Sequence, residues 1–274
     1  MSAAALVVGA SLASATPAAA KKPVDENYLP FKNCPIAVKK LEACVVATTT
    51  SGEFKLGSKT VKIETPVTLQ GGLLPPPKSE PEIDRELIPP TDGAPLLEAA
   101  PMKVPGGLTG IEGLGEEVTA TTELVGPVII NEANQVEEKG IAVKLPLRVK
   151  LNNAALGEEC FVGSAAEPVL LELTTGATSP PSPNTPIHGS KGTLAAFDNI
   201  AEFSGLTLVD NSFSAPGAAG CGGVLATILD PIVDADSGLP SAAGNNTAIL
   251  NGSVQEGFTR FVKKSHVIAK TKKK

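Results

Sequence analysis

A mainly β fold, an antiparallel β-sandwich or open barrel that is disulfide-stapled and carries a Pro-rich excursion, is what this sequence predicts. Three observations carry the expectation. Short runs of Val, Ile, Leu, Thr and Phe recur along the chain with turn residues between them. Four Cys are present, an even number that suits two bridges. Nine of the 24 prolines crowd between Pro75 and Pro105, where the missing backbone donors exclude a sheet interior.

Residues 1–20 read as a signal peptide. Ala3 to Ala13 form an apolar stretch of small residues, Pro17 breaks it, and Ala18-Ala19-Ala20 supplies the small-x-small pattern of a cleavage site. The usual positive n-region is absent, which places Met1 inside a longer signal. The stretch is too short for a membrane anchor, and no later segment approaches about 20 apolar residues, so the mature chain is expected to carry no transmembrane anchor. Cleavage after Ala20 leaves about 254 residues, enough for one large β domain or two modest ones. Secretion to the extracellular space or the cell envelope also suits the four Cys, none of them in the signal.

Residues 21–73 read as an N-terminal Cys-stapled segment followed by a β-hairpin. Cys34 and Cys44 are close enough in sequence to form a local staple, although four Cys permit three connectivities. Val45 to Leu56 and Val61 to Ile63 flank Gly57-Ser58-Lys59 as a hairpin, and Val67 and Leu69 begin the next strand, ending at Gly71-Gly72. Residues 74–107 form the Pro-rich linker or excursion, whose Leu87, Ile88, Leu96 and Leu97 are expected to pack on a neighbouring sheet.

Residues 108–262 read as the β-sandwich domain. Strands are expected at Val118–Val125, Val128–Ile130, Ile141–Leu151, Phe161–Val162, Val169–Thr174, Thr193–Phe197, Leu206–Val209, Val224–Leu229 and Ala248–Leu250. Helix is expected only as a turn or two, at Pro231–Ala235 and Ser241–Asn246. Residues 263–274 read as a basic tail, solvated and frayed.

Composition narrows the function. The formal charge of −6 argues against nucleic acid as a partner. Trp is absent and Tyr28 is the single Tyr, which removes the stacking surface of most sugar sites. No Gly-x-Ser-x-Gly elbow is present, His188 follows a Pro-rich loop and His266 sits in the tail, so no Ser-His-Asp site is legible. Acids such as Glu158, Glu159, Glu167, Glu172 and Asp210 are scattered without a spacing that indicates glycoside hydrolysis. Asp230, Asp234 and Asp236 supply the hard oxygens a calcium ion requires, but the Gly and Glu positions of an EF-hand loop are missing, and turn carboxylates in solvent are the plain alternative. Zinc near Cys34 and Cys44 would need further ligands, and neither His lies nearby in sequence. No catalytic residue and no cofactor is expected.

Leu156-Gly157-Glu158-Glu159-Cys160-Phe161-Val162-Gly163-Ser164, Leu173-Thr174-Thr175-Gly176, Leu208-Val209-Asp210-Asn211, Gly220-Cys221-Gly222 and Gly238-Leu239-Pro240-Ser241-Ala242-Ala243-Gly244-Asn245-Asn246-Thr247-Ala248 together resemble uncharacterised secreted actinobacterial proteins, over about residues 145–260. The resemblance implies export and a Cys160–Cys221 pair within one strand-rich region. It supplies no catalytic residue. The expectation is a secreted or envelope-associated, non-enzymatic binding or structural protein, whose partner is an envelope component or a small ligand. Two alternatives stand beside it: a secreted hydrolase with an unrecognised site, and a β-barrel carrier of an apolar ligand. A carrier requires an enclosed cavity lined by Val, Leu and Phe, an enzyme a polar cleft of converging acids or His, and a filled core would leave the structural role.

Overall fold

The computed structural model describes residues 25–77, 84–91, 93–107 and 117–268. The expected signal lies outside the described residues, as do the last lysines of the basic tail, Lys270, Lys272, Lys273 and Lys274. The strands are β1 (Ala43–Leu56), β2 (Lys59–Lys62), β3 (Val67–Leu73), β4 (Arg85–Ile88), β5 (Leu97–Glu98), β6 (Met102–Lys103), β7 (Thr119–Leu124) and β8 (Val128–Ile130). They continue as β9 (Val143–Asn152), β10 (Phe161–Val162), β11 (Val169–Leu173), β12 (Thr193–Phe197), β13 (Ile200–Asp210), β14 (Ala218–Ala219) and β15 (Thr247–Phe258). Helices α1 (Glu132–Glu137), α2 (Ala226–Ser237) and α3 (Thr259–Val262) are the minority.

All the strands join one antiparallel sheet, in the order β12-β13-β15-β1-β3-β4-β8-β9-β10-β14, with β7 and β11 also on β9. The sheet curls around a main core that contains Val45 of β1, Leu145 of β9 and Leu171 of β11. It is not closed into a barrel. Thr174, just past β11, meets Val209 of β13 through one isolated bridge, and Ser190 meets Thr207 through another.

Alternation explains much of this arrangement. In β9, Val143, Leu145, Leu147, Val149 and Leu151 are all buried, while the residues between them are half-exposed. Two bulges explain the curl and a change of phase. The β1–β15 register shifts between Thr49 and Ser51, and the β13–β15 register between Ser204 and Leu206. An extra residue bends the strand and transfers the inward face from odd to even positions. Hence Val45, Ala47 and Thr49 face the interior before the first bulge, and Phe54 and Leu56 after it. Ala201 and Phe203 precede the second, and Leu206 and Leu208 follow it. Gly52 completes the first bulge at φ +139°, where an added Cβ would sit 1.9 Å from the Ile249 carbonyl oxygen.

Both disulfides form, Cys34–Cys44 and Cys160–Cys221. The first pins a 3-10 segment (Glu26–Asn33) against the sheet, where Tyr28, Phe31, Leu41, Ile200 and Val262 make a second, smaller core. The start of the basic tail belongs to that core, against the expectation of a frayed end. Ser265 is buried and its carbonyl accepts from the Asp25 N–H at 3.2 Å, while Val267 and Ile268 pack on the cluster. The second disulfide links the chain entering β10 to the chain leaving β14.

Two further expectations are corrected. Residues 224–229, expected as a strand, form a short 3-10 turn and the start of α2. Only Val233 and Ser237 of α2 are buried, and Val224, Leu225, Ile228 and Ile232 are exposed, so the helix lacks the buried apolar stripe that marks one in a sequence. Pro231 lies inside it, and Gly238, at φ +66°, terminates it in the left-handed conformation. The Pro-rich stretch is also more than a linker, because β4 pairs with both β3 and β8. Whether the segment before the Pro-rich stretch stands apart was left open by the sequence; its strand β1 lies between β3 and β15 of the common sheet.

Candidate functional site

The curled sheet leaves a cavity of about 430 Å³, within the range of roughly 300–1,000 Å³ typical of small-molecule sites. Its walls are apolar. β1 contributes Val45 and Ala47, β3 Val67 and Leu69, β9 Val143 and Leu145, β13 Phe203, Leu206 and Leu208, and β15 Leu250 and Val254. Val136 of α1, Leu194 of β12 and Phe258 of β15 line the cavity and are also exposed at 41%, 55% and 52%, so these three form an apolar rim at its mouth.

A small polar group interrupts the wall. Glu256 projects inward from β15 between Val254 and Phe258, and its cross-strand neighbours are Val45 and Ala201. Arg85 projects from β4 and is buried. Its Nε donates to the Leu74 carbonyl at 3.0 Å, one terminal nitrogen to Glu132 at 2.5 Å and the other to Glu42 at 2.7 Å. Glu132 is presented by the first turn of α1, whose N-cap Asn131 accepts from the Asn134 N–H at 3.0 Å and donates to Asp84 at 2.9 Å. Three carboxyl groups therefore surround one guanidinium.

Burial pushes the Glu256 carboxyl up to about 8 from its ordinary range. A hydrogen bond with Glu132 and the negative charges of Glu132 and Glu42 add to the shift, and Arg85 opposes it. The side chain is half-buried, yet it is bordered by apolar wall that solvates an anion poorly. Because the folded value lies above the unfolded one, the folded chain retains a proton that the unfolded chain has released between about 4.5 and about 8. Stability from this group is thus greatest at low pH and falls as pH rises through that window. Glu256→Gln, which mimics the protonated form, is expected to melt close to wild type at about pH 5 and several degrees higher at about pH 9, given about 2–4 °C per kcal/mol for a chain of this size. Thermal melts at the two pH values check it, and an advantage that does not grow with pH contradicts it.

The residues singled out in the sequence occupy structural positions. Asp230 accepts from the N–H groups of Gly220 (3.2 Å) and Cys221 (2.8 Å), Asp234 accepts from Ala218 at 2.6 Å, and Asp236 pairs with Lys59 at 2.8 Å. These carboxylates fasten α2 to the chain around β14 and to the start of β2. Among the described residues no group of three or more His, Cys, Asp or Glu is arranged to hold a metal. Cys34, Cys44, Cys160 and Cys221 are all in disulfides. Glu158 pairs with Lys150 at 2.8 Å. Asp210 lies beside Glu172, and burial pushes its carboxyl up, but its two oxygens accept from the N–H groups of Ser212 and Glu172 at 2.8 and 2.7 Å. His188 makes an isolated bridge with Ala177, and neither His lines the cavity. Asn246, fully buried, donates to the Phe213 carbonyl and accepts from the Gly57 N–H, and so fixes the loop that leads into β15.

Glu256, Glu132, Arg85 and Glu42 were not singled out by sequence reasoning. One signal was present for Glu256. Ala248, Leu250, Val254 and Phe258 keep the period of two, and Glu256 falls on it, so an acid on an apolar face was visible once the strand is extended beyond Leu250. No family model, curated protein or solved structure matches this chain.

Proposed function

We propose that this chain is a secreted, non-enzymatic binding protein whose curled sheet holds one apolar small molecule in the cavity between β1, β9, β13 and β15. The observation that carries the reading is an interior left unfilled. Side chains of Val, Leu, Ile and Phe surround a 430 Å³ space where a structural sandwich would close its core. An apolar lining with an apolar rim favours entry of a hydrocarbon group over water. Converging catalytic groups, which a hydrolase requires, are not what the lining supplies: its titratable members are Arg85, Glu132 and Glu256, and Arg85 is already engaged by Glu42 and Glu132. Two disulfides support an oxidising compartment, and no helix among the described residues is long and apolar enough to cross a membrane.

Ala47 offers a direct test. It lies in the first half of β1, opposite Leu69 on one side and Val254 on the other, and its side chain faces the cavity. Ala47→Phe is expected to place a ring in the empty space and to weaken binding of the neutral fluorophore N-phenyl-1-naphthylamine by at least about tenfold, with an unfolding midpoint close to that of wild type. Fluorescence titration and a thermal melt read the two quantities. Unchanged binding in a folded Ala47→Phe variant, or no binding by wild type, overturns the reading.

A further inference from the structure

We infer that the cavity selects an amphiphile whose hydrocarbon chain fills the apolar part and whose head is an ammonium or similar cationic nitrogen group, seated against Glu132 and Glu256. This rests on the pocket reading above and gives it a ligand class. The argument is charge complementarity. Glu42, Glu132 and Glu256 face a single cation, Arg85, each of whose three nitrogens already donates to a protein oxygen. A ligand carboxylate or phosphate would therefore meet a guanidinium that is engaged and a surplus of negative charge. A cationic nitrogen instead meets carboxylate oxygens, and in an apolar surrounding that attraction is only weakly screened. Two cations lie on the rim side: the Arg260 guanidinium is 5.5 Å from the Phe258 ring centre and 4.7 Å from that of Phe261, and Lys191 Nζ donates to the Val136 carbonyl at 3.0 Å. They are the groups an anionic head would seek, which makes an acid the informative competitor.

Glu256 gives the selection a pH dependence. The groups that act on it are Glu132 from α1, Arg85 from β4 and Glu42 ahead of β1, and its neighbours across the strands, Val45 and Ala201, do not titrate. Without ligand, Glu256 holds its proton up to about 8. An alkylammonium ion favours the carboxylate, so its binding at neutral pH releases a proton and tightens as pH rises toward 8. A neutral head group has no such linkage.

The test is displacement of N-phenyl-1-naphthylamine from the full chain by dodecylamine hydrochloride, dodecanol and sodium dodecanoate, below their aggregation concentrations. At about pH 8 dodecylamine is expected to displace the reporter at a concentration at least about tenfold below dodecanoate, with dodecanol between them. Its affinity should rise from pH 6 to pH 8 while that of dodecanol stays flat. Glu256→Gln should remove most of the amine's advantage and leave dodecanol unchanged. Glu132→Gln is the second variant, and it should lower the amine's advantage in the same direction. Equal or stronger displacement by dodecanoate, an amine affinity independent of pH, or an undiminished amine advantage in both variants overturns the head-group inference while the pocket stands. Failure of all three compounds to displace the reporter, dodecanol included, overturns the pocket reading itself.

Discussion

Replacing Cys160 and Cys221 together by Ala is expected to lower the unfolding midpoint more than replacing Cys34 and Cys44. The bridges close loops of 61 and 10 residues in sequence separation. In the chain-entropy account the longer loop contributes about 4 kcal/mol and the shorter about 3. At about 2–4 °C per kcal/mol, the first double variant loses roughly 8–16 °C. Packing favours the same order. Cys160 and Cys221 belong to the main core that surrounds the cavity, whereas Cys34 and Cys44 belong to the smaller cluster on the other face. The two pairs therefore also differ in functional consequence: loss of the first should weaken the fluorophore site, and loss of the second should leave it nearly intact. Melts of the two double variants, with a titration of each, decide it. A larger loss from the Cys34–Cys44 pair would show that the N-terminal segment, not the β10–β14 junction, governs unfolding.

Leu147→Ala is expected to cost about 2–5 kcal/mol, because Leu147 is buried in the middle of β9 and the space it leaves cannot collapse between paired strands. β11 pairs with it through Val169 on one side and β7 through Leu124 on the other. Along β9 it stands between Val143 and Leu145, which line the large cavity, and Val149 and Leu151, which line a smaller one. Leu194→Ala is the control. Leu194 sits at the rim and is 55% exposed, so its truncation should change stability by no more than about 0.5 kcal/mol. Denaturant melts of the two variants measure the contrast, and a comparable loss at both positions would contradict the placement of the core.

Strand positions were legible because alternation is a local property. Most expected runs appear where residue spacing placed them, and β9 reproduces its pattern from end to end. The hairpin of β1 and β2 forms where it was read, although its turn is Gly57-Ser58 and Lys59, read as part of the turn, already belongs to β2. Strand length was less legible. β13 and β15 extend well past the apolar cores of Leu206–Val209 and Ala248–Leu250 into residues such as Glu202, Ser204, Ser253 and Gln255. Those polar residues alternate too, but across a β13 bulge that reverses the inward parity. A one-dimensional reading has no means of knowing which residue is the extra one, since that depends on the partner strand. Helix α2 was only partly legible: a turn of helix was expected at Pro231–Ala235, but the preceding residues were read as a strand, because Asp230 and Asp234 bond to backbone around β14, Ile228 and Ile232 are exposed, and Val233 is the one fully buried apolar residue of the helix, which leaves no apolar stripe to read.

The sequence by itself determined the β class, the positions of most strands and the likeness in number between Cys and bridges, because each follows from short-range spacing and composition. The scarcity of Trp and Tyr and the lack of a Gly-x-Ser-x-Gly elbow shaped its expectations about function, and those rest on composition and motif alone. Only the tertiary structure decided that the sheet curls without closing, that a cavity remains inside it, and that Arg85, Glu132 and Glu256 meet in its wall with Glu42 paired to Arg85. Those four lie as much as 214 positions apart in the chain (256 − 42), and apart from Glu256, an acid on the apolar face of β15, none carries a local pattern of its own. Their chemistry exists through proximity: a carboxyl on an exposed strand is an ordinary acid, and the same carboxyl against apolar walls and two other acids holds its proton.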